Sequence, residues 1–191
     1  MLSLGIMGSL HADLAALVEG HEPRSPREVA ARERFLVELA RLDRPCDEHA
    51  DATHVTASGI VVGRRGTVLH RHKRLGRWMQ PGGHIDPGET PPAAARRETT
   101  EELGLAVDHP EGRPHLLHLD VHEAALGHVH LDLRYLLLGS DDDPHPPPGE
   151  SPEARWYSWD EAAALADEAL VGALGLARDE WERLAPGASG E

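Results

Sequence analysis

Residues 83–105 read GHIDPGETPPAAARRETTEELGL. Thr90 stands before Pro91 and Pro92, an N-cap followed by proline at the first helical positions, and Gly104 supplies a stop. The spacing predicts a helix over 91–103. On a 3.6-residue period Glu98, Glu101 and Glu102 lie three and four apart and project from one face. Three neighbouring anions repel. Either the face is solvated, with Arg97 pairing Glu101 across one turn, or a bound cation neutralises it. All-oxygen ligation is what Mg²⁺ or Mn²⁺ prefers.

Working outward, Val55 to Val62 and Thr67 to Lys73 are β-rich runs around Gly63-Arg64-Arg65-Gly66, a hairpin signal. Downstream, His115 to His122 and His128 to Leu138 are two more strand-like runs around a five-residue loop containing Gly127. Simple antiparallel pairing sets His122 opposite His128, Asp120 opposite His130, and His118 opposite Asp132. Period two then collects these six side chains on one face and Leu117, Leu119, Val121, Val129, Leu131 and Leu133 on the other. The polar face is either solvent-facing sheet or the wall of a pocket, which makes His130 and Asp132 candidate substrate contacts. Asp141 to Pro152 reads as an acidic, proline-rich loop. A short strand over Arg155 to Ser158, a helix capped by Ser158 with Glu161 three later, and a last helix through Leu170, Leu174, Ala177, Trp181 and Leu184 follow.

Before residue 50 the pattern is helical. Ser9 caps a helix ending at Gly20, and Ser25-Pro26-Arg27-Glu28 opens a second with a capping box ahead of Phe35, Leu36, Leu39 and Leu42. Residues 1–50 are therefore expected as a helical extension and 51–191 as the main α/β domain on a mixed sheet.

Composition narrows the function. Thirty-three acidic against nineteen basic residues give a formal net charge of −14, which disfavours a nucleic-acid duplex or an anionic membrane surface as partner. No apolar run approaches a membrane span, and the lone Cys46 allows neither an internal disulfide nor a cysteine zinc cluster; both suit a cytoplasmic protein. A phosphate-bearing substrate would need cations beside so acidic a chain.

The 83–105 string resembles the Nudix box, G-x5-E-x7-R-E-U-x-E-E-x-G-U with U apolar, at Gly83, Glu89, Arg97, Glu98, Glu101, Glu102, Gly104 and Leu105. Thr99 departs from it, where an aliphatic residue is usual; it is expected to pack its methyl in the core and bond its hydroxyl to the preceding turn. The resemblance implies a Nudix-type α/β/α sandwich. It implies Mg²⁺ or Mn²⁺ held by Glu98, Glu101, Glu102 and the Gly82 carbonyl, with Glu98, Glu101 and Arg97 as catalytic residues and Glu89 orienting Arg97. The general base comes from Glu98 or Glu101, or from outside the box at Glu150 or Glu153. Arg71, Lys73, Arg74 and Arg77 are candidates for substrate phosphates, and His84 for substrate or metal.

The implied activity is a divalent-metal-dependent pyrophosphohydrolase. It would cleave a phosphoanhydride bond in a nucleoside triphosphate, or in a nucleoside diphosphate linked to another moiety. The partner is then a small-molecule diphosphate, with the extension free to form a homodimer, cover the site or support the sheet. An isopentenyl-diphosphate-isomerase-like enzyme is the alternative, since Gly83-His84 with His54 is similar to the metal-binding histidines of those isomerases. Their reactive cysteine just ahead of Gly-His is replaced here by Pro81 and Gly82. A noncatalytic Nudix-fold ligand sensor is a third reading, opposed by the intact box glutamates.

Overall fold

The computed structural model describes residues 3–185, with side chains from Leu10 onward. Helices α1 (Ser3–Gly20) and α2 (Pro26–Leu39) come first. Strands β1 (Thr53–Gly63), β2 (Gly66–Arg71), β3 (Trp78–Met79) and β4 (Gly82–His84) lead into α3 (Pro91–Leu103). Then follow β5 (Val107–Asp108), β6 (Leu116–Glu123), β7 (Val129–Gly139), β8 (Ala154–Tyr157), α4 (Trp159–Leu165) and α5 (Glu168–Leu184).

One mixed sheet organises the chain. β1 and β7 run parallel at its centre, from Thr53 opposite Val129 to Val62 opposite Leu138. β2, β4, β5, β6 and β8 join by antiparallel pairing. Alternation along the central pair sends Val55, Ala57, Leu131, Leu133 and Tyr135 to one face, where they pack with Ala94 and Ala95 of α3 and with Leu14, Val18, Phe35 and Leu39 of α1 and α2. The opposite face buries Ile60, Val62 and Leu136 under Ala162, Leu170, Ala173 and Leu174 of α4 and α5. Helices thus cover both faces, as the sequence suggested. Gly59 marks where α3 sits closest: a Cβ there would collide with the Thr99 hydroxyl and with Leu137.

Several local expectations change. α1 is already helical at Ser3, so Ser9 lies inside it and not at its cap. The β6–β7 hairpin is closed by Glu123 opposite Val129, which moves the register by two residues: His122 faces His130, Asp120 faces Asp132, and His118 faces Arg134. The cause is the loop, where Ala124 donates its N–H to the His128 carbonyl with Leu126 and Gly127 at positive φ, so His128 belongs to the turn. A two-residue slip leaves every side chain on its expected face. Thr90 holds the N-cap position of α3 without a side-chain bond, and the buried Thr99 hydroxyl has no partner.

Glu28 departs most from its expected role. The Ser25 hydroxyl accepts the Glu28 N–H as a cap should, but the Glu28 carboxylate does not return to Ser25. It is 1% exposed and accepts the Leu119 N–H of β6 at 3.1 Å and the Arg24 N–H at 2.7 Å, with His21 Nε2 at 2.7 Å. Burial pushes the carboxyl up, yet the His21 ring and the two amides outweigh it and hold it at about 2. A folded pKa below the unfolded value gives stability that is full above about pH 4.5 and lost as pH falls toward 2. We therefore expect Glu28→Gln to cost about 3 kcal/mol at pH 7, with the gap to wild type closing on acidification through that window. Urea melts of both proteins across pH 3–7 measure it; a pH-independent gap overturns it.

Candidate active site

The α3 carboxylates are organised by one guanidinium. Arg97 donates from Nε and Nη2 to Glu89 at 3.0 and 2.9 Å, and from Nη1 to Glu98 at 2.8 Å and Glu101 at 3.1 Å. Nη2 also reaches the His84 carbonyl at 3.1 Å, tying helix to strand β4. Hydrogen bonding to Glu89, opposed by desolvation and joined by Glu98, raises the Arg97 pKa further. Arg97 in turn holds the Glu89 carboxyl low.

Glu98 and Glu102 turn toward the Gly82-Gly83 segment. Glu102 accepts the Gly82 N–H at 2.9 Å and lies 3.8 Å from His70 Nε2. A Cβ at Gly83 would stand 2.7 Å from the Glu98 carboxyl carbon, so only glycine lets the strand pass this close. Burial raises the Glu98 pKa, against the Arg97 bond. Burial likewise pushes Glu102 up to about 7; the Gly82 amide opposes this, and Glu98 and Glu150 add to it. Two half-buried acids side by side are short of positive charge. With the Gly82 carbonyl nearby in sequence, the donors are all oxygens, suited to a hard divalent cation.

Around them, the acidic loop is stitched to the β1–β2 region. Arg64 and Arg65 meet Asp141 and Asp143, Arg71 meets Glu153 at 3.0 Å, and Lys73 meets Glu150 at 3.6 Å. Of the two outside carboxylates, Glu150 is the one whose charge is felt at Glu102. No carboxylate lies within ion-pair distance of Arg74 or Arg77 among the described residues. His84 turns the other way, its Nδ1 3.2 Å from Glu48.

The polar face of the β6–β7 hairpin is neither open surface nor a simple pocket wall. Asp132 is buried, accepting from Thr56 at 3.0 Å, Ser58 at 2.6 Å and Arg134 Nε at 3.1 Å, with Gln80 at 3.4 Å. Its oxygens are engaged by β1, by Arg134 of its own strand and by Gln80. Arg134 bridges Asp132 to Asp120 and also donates to the Ala169 carbonyl, fastening α5. The sequence reading stopped short of Arg134, although its parity places it on the same face. His130 stays half-buried, ringed by His54, His84 and His122.

A NUDIX domain model matches residues 52–174. An isopentenyl-diphosphate Delta-isomerase of Streptomyces griseus is 33% identical over 124 residues, 60% of this chain and 60% of that protein. A CMP-5'-(N-acetyl-N-hydroxy-3-aminopropyl)phosphonate hydrolase of Streptomyces rubellomurinus is 32% identical over 148 residues, 69% of this chain and 67% of that protein. The chain spans about half the length of other curated relatives it matches. A crystal structure of a NUDIX-family hydrolase from Clostridium perfringens superposes with a TM-score of 0.57 at 28% identity, covering 69% of this chain and 98% of that one.

The raised Glu102 carboxyl has a measurable sign. A folded pKa of about 7 against 4.5 gives stability that is full below pH 4.5 and lost as pH rises through 7. Metal-free protein should therefore lose up to about 3 kcal/mol between those limits, and Glu102→Gln should flatten that slope. Denaturant melts in EDTA check it; identical slopes in the two proteins count against the assignment.

Proposed function

The chain belongs to the Nudix family, and from that premise we propose that it is a hydrolase of phosphoanhydride bonds, acting on a nucleoside triphosphate or on a nucleoside diphosphate linked to another group. The observation that carries this reading is the turning of Glu98 and Glu102 onto the Gly82-Gly83 strand, with Arg97 gathering Glu89, Glu98 and Glu101. Glu98, Glu101, Glu102 and the Gly82 carbonyl would hold Mg²⁺ or Mn²⁺. When bound, such an ion neutralises the diphosphate and lowers the pKa of a coordinated water.

The chain's own residues divide the remaining work. Glu89 fixes the guanidinium plane of Arg97 through two bonds, so Arg97 presents Glu98 and Glu101 at set positions. Glu98 or Glu101 accepts the proton of the attacking water; Glu150 and Glu153 are the outside alternatives, paired with Lys73 and Arg71, and Glu150 is favoured because its charge acts on Glu102. Arg74 and Arg77 carry charge for the substrate phosphates, because Arg71 and Lys73 are occupied by the acidic loop. Isomerisation through a thiol is disfavoured: Pro81 and Gly82 precede Gly83-His84, and burial pushes the Cys46 thiol up to about 11.

Incubation with Mg²⁺ or Mn²⁺ and a panel of phosphoanhydrides, with products separated by chromatography, tests the proposal. Turnover should require the added cation and fall at least about a hundredfold in Glu98→Gln and in Glu102→Gln, while Cys46→Ser remains unchanged. Near wild-type turnover in folded Glu98→Gln and Glu102→Gln would refute the site, and loss of activity in a stable Cys46→Ser would restore thiol chemistry.

A further inference from the structure

We propose that His54, His84 and His130 form a second cation site, separate from the α3 carboxylates and selective for a nitrogen-preferring divalent ion of the Zn²⁺ type. Each residue comes from a different strand. His54 and His130 are direct partners across the parallel β1–β7 ladder, and His84 on β4 lies opposite Thr56 of β1. Parity puts all three on the face turned away from α3, since Gly83, opposite Ala57, is the residue that faces Glu98. Adjacent residues of β4 thus serve opposite sides of the sheet.

One ring nitrogen from each of the three lies within 4.8 Å of the others. The ring centroids are 5.0 Å apart for His54 and His84, 4.9 Å for His54 and His130, and 5.8 Å for His84 and His130. Around a shared ion at about 2.0–2.1 Å the nitrogens would stand roughly 3.3 Å apart, a closure that side-chain rotation supplies. At His54 and His84 the other ring nitrogen already has the kind of support that orients metal-ligating histidines. His54 Nδ1 lies 3.4 Å from the Asp51 carbonyl, and His84 Nδ1 lies 3.2 Å from the Glu48 carboxylate.

An independent observation comes from His54, whose ring is buried with Nε2 unpartnered. A buried polar nitrogen without a bond costs stability, and packing against neighbouring rings does not satisfy it. A cation shared with His84 and His130 would. His122 and His128 stack at the rim of the cluster, 5.4 Å from His130 and 5.2 Å from His54 between ring centroids, but the mutually close ring nitrogens are those of His54, His84 and His130. Three neutral nitrogens suit Zn²⁺ and related ions and are poor ligands for Mg²⁺. The two sites therefore separate by donor chemistry as well as by sheet face.

The test is direct binding. Protein stripped with EDTA and dialysed into about 5 mM MgCl₂ is titrated with ZnCl₂ by calorimetry and with CoCl₂ by visible absorption, where nitrogen-bound Co²⁺ gives d–d bands. One equivalent should bind despite the Mg²⁺, and should still bind to the Glu98→Gln/Glu102→Gln double variant. Affinity should fall at least about tenfold in His84→Ala and in His130→Ala, both half-buried and so tolerant of change. In the unaltered protein, long-range ¹⁵N correlation spectra should show the imidazoles of His54, His84 and His130 shifting on Zn²⁺ addition and that of His122 unmoved. Absence of stoichiometric binding, binding that survives both histidine variants, or binding abolished by the glutamine pair overturns the proposal. Because these readouts are binding and spectra, they stand or fall apart from the hydrolytic reading.

Discussion

The parallel pairing of β1 with β7 fixes what each side of the sheet can be. Once Val55 lies beside Leu131 and Ala57 beside Leu133, the intervening positions must put Thr56 beside Asp132 and Ser58 beside Arg134 on the reverse. One face thereby becomes a dry platform for α3 and the N-terminal helices. The other becomes polar at the end holding His54 and His130 and apolar at the end holding Ile60 and Val62. The carboxylate site depends on the first face and the imidazole cluster on the second, so a slip of one residue in this ladder would invert both.

Charge is distributed on the same plan. A chain with net charge −14 keeps its scarce cations where acids crowd. Arg97 serves three glutamates on α3, Arg134 serves two buried aspartates, and the hairpin cations hold the acidic loop that carries Glu150. Removing one partner from such a group leaves a desolvated charge behind, so these arginines are structural as much as electrostatic.

Elements with local signals were legible from the residues. The α3 limits follow from Thr90-Pro91 and Gly104, and the box positions follow from fixed spacing; the β1–β2 turn and the Ser158 capping box with Glu161 are equally local. The parallel β1–β7 ladder joins residues 76 apart in sequence, and no short pattern announces such a partner. The hairpin register went astray because a five-residue loop can be closed in more than one way. Alternation placed Asp132 on the polar face but left open whether solvent or a pocket meets it, because it reports a face and not what covers it; Thr56, Ser58 and Arg134 bond its carboxylate. The histidine cluster needed three strands in place before its members could be seen as neighbours.

The Glu28 contact bears on how the sheet ends. β6 pairs with β7 on one side, and no described strand adds to its other side. An unpaired strand margin is a template on which another chain can build, the usual route to strand-swapped dimers and fibrils. Glu28 of α2 occupies the Leu119 amide with a buried carboxylate. At that point of the margin the edge amide is already satisfied, which lowers the readiness of β6 to take up a further strand.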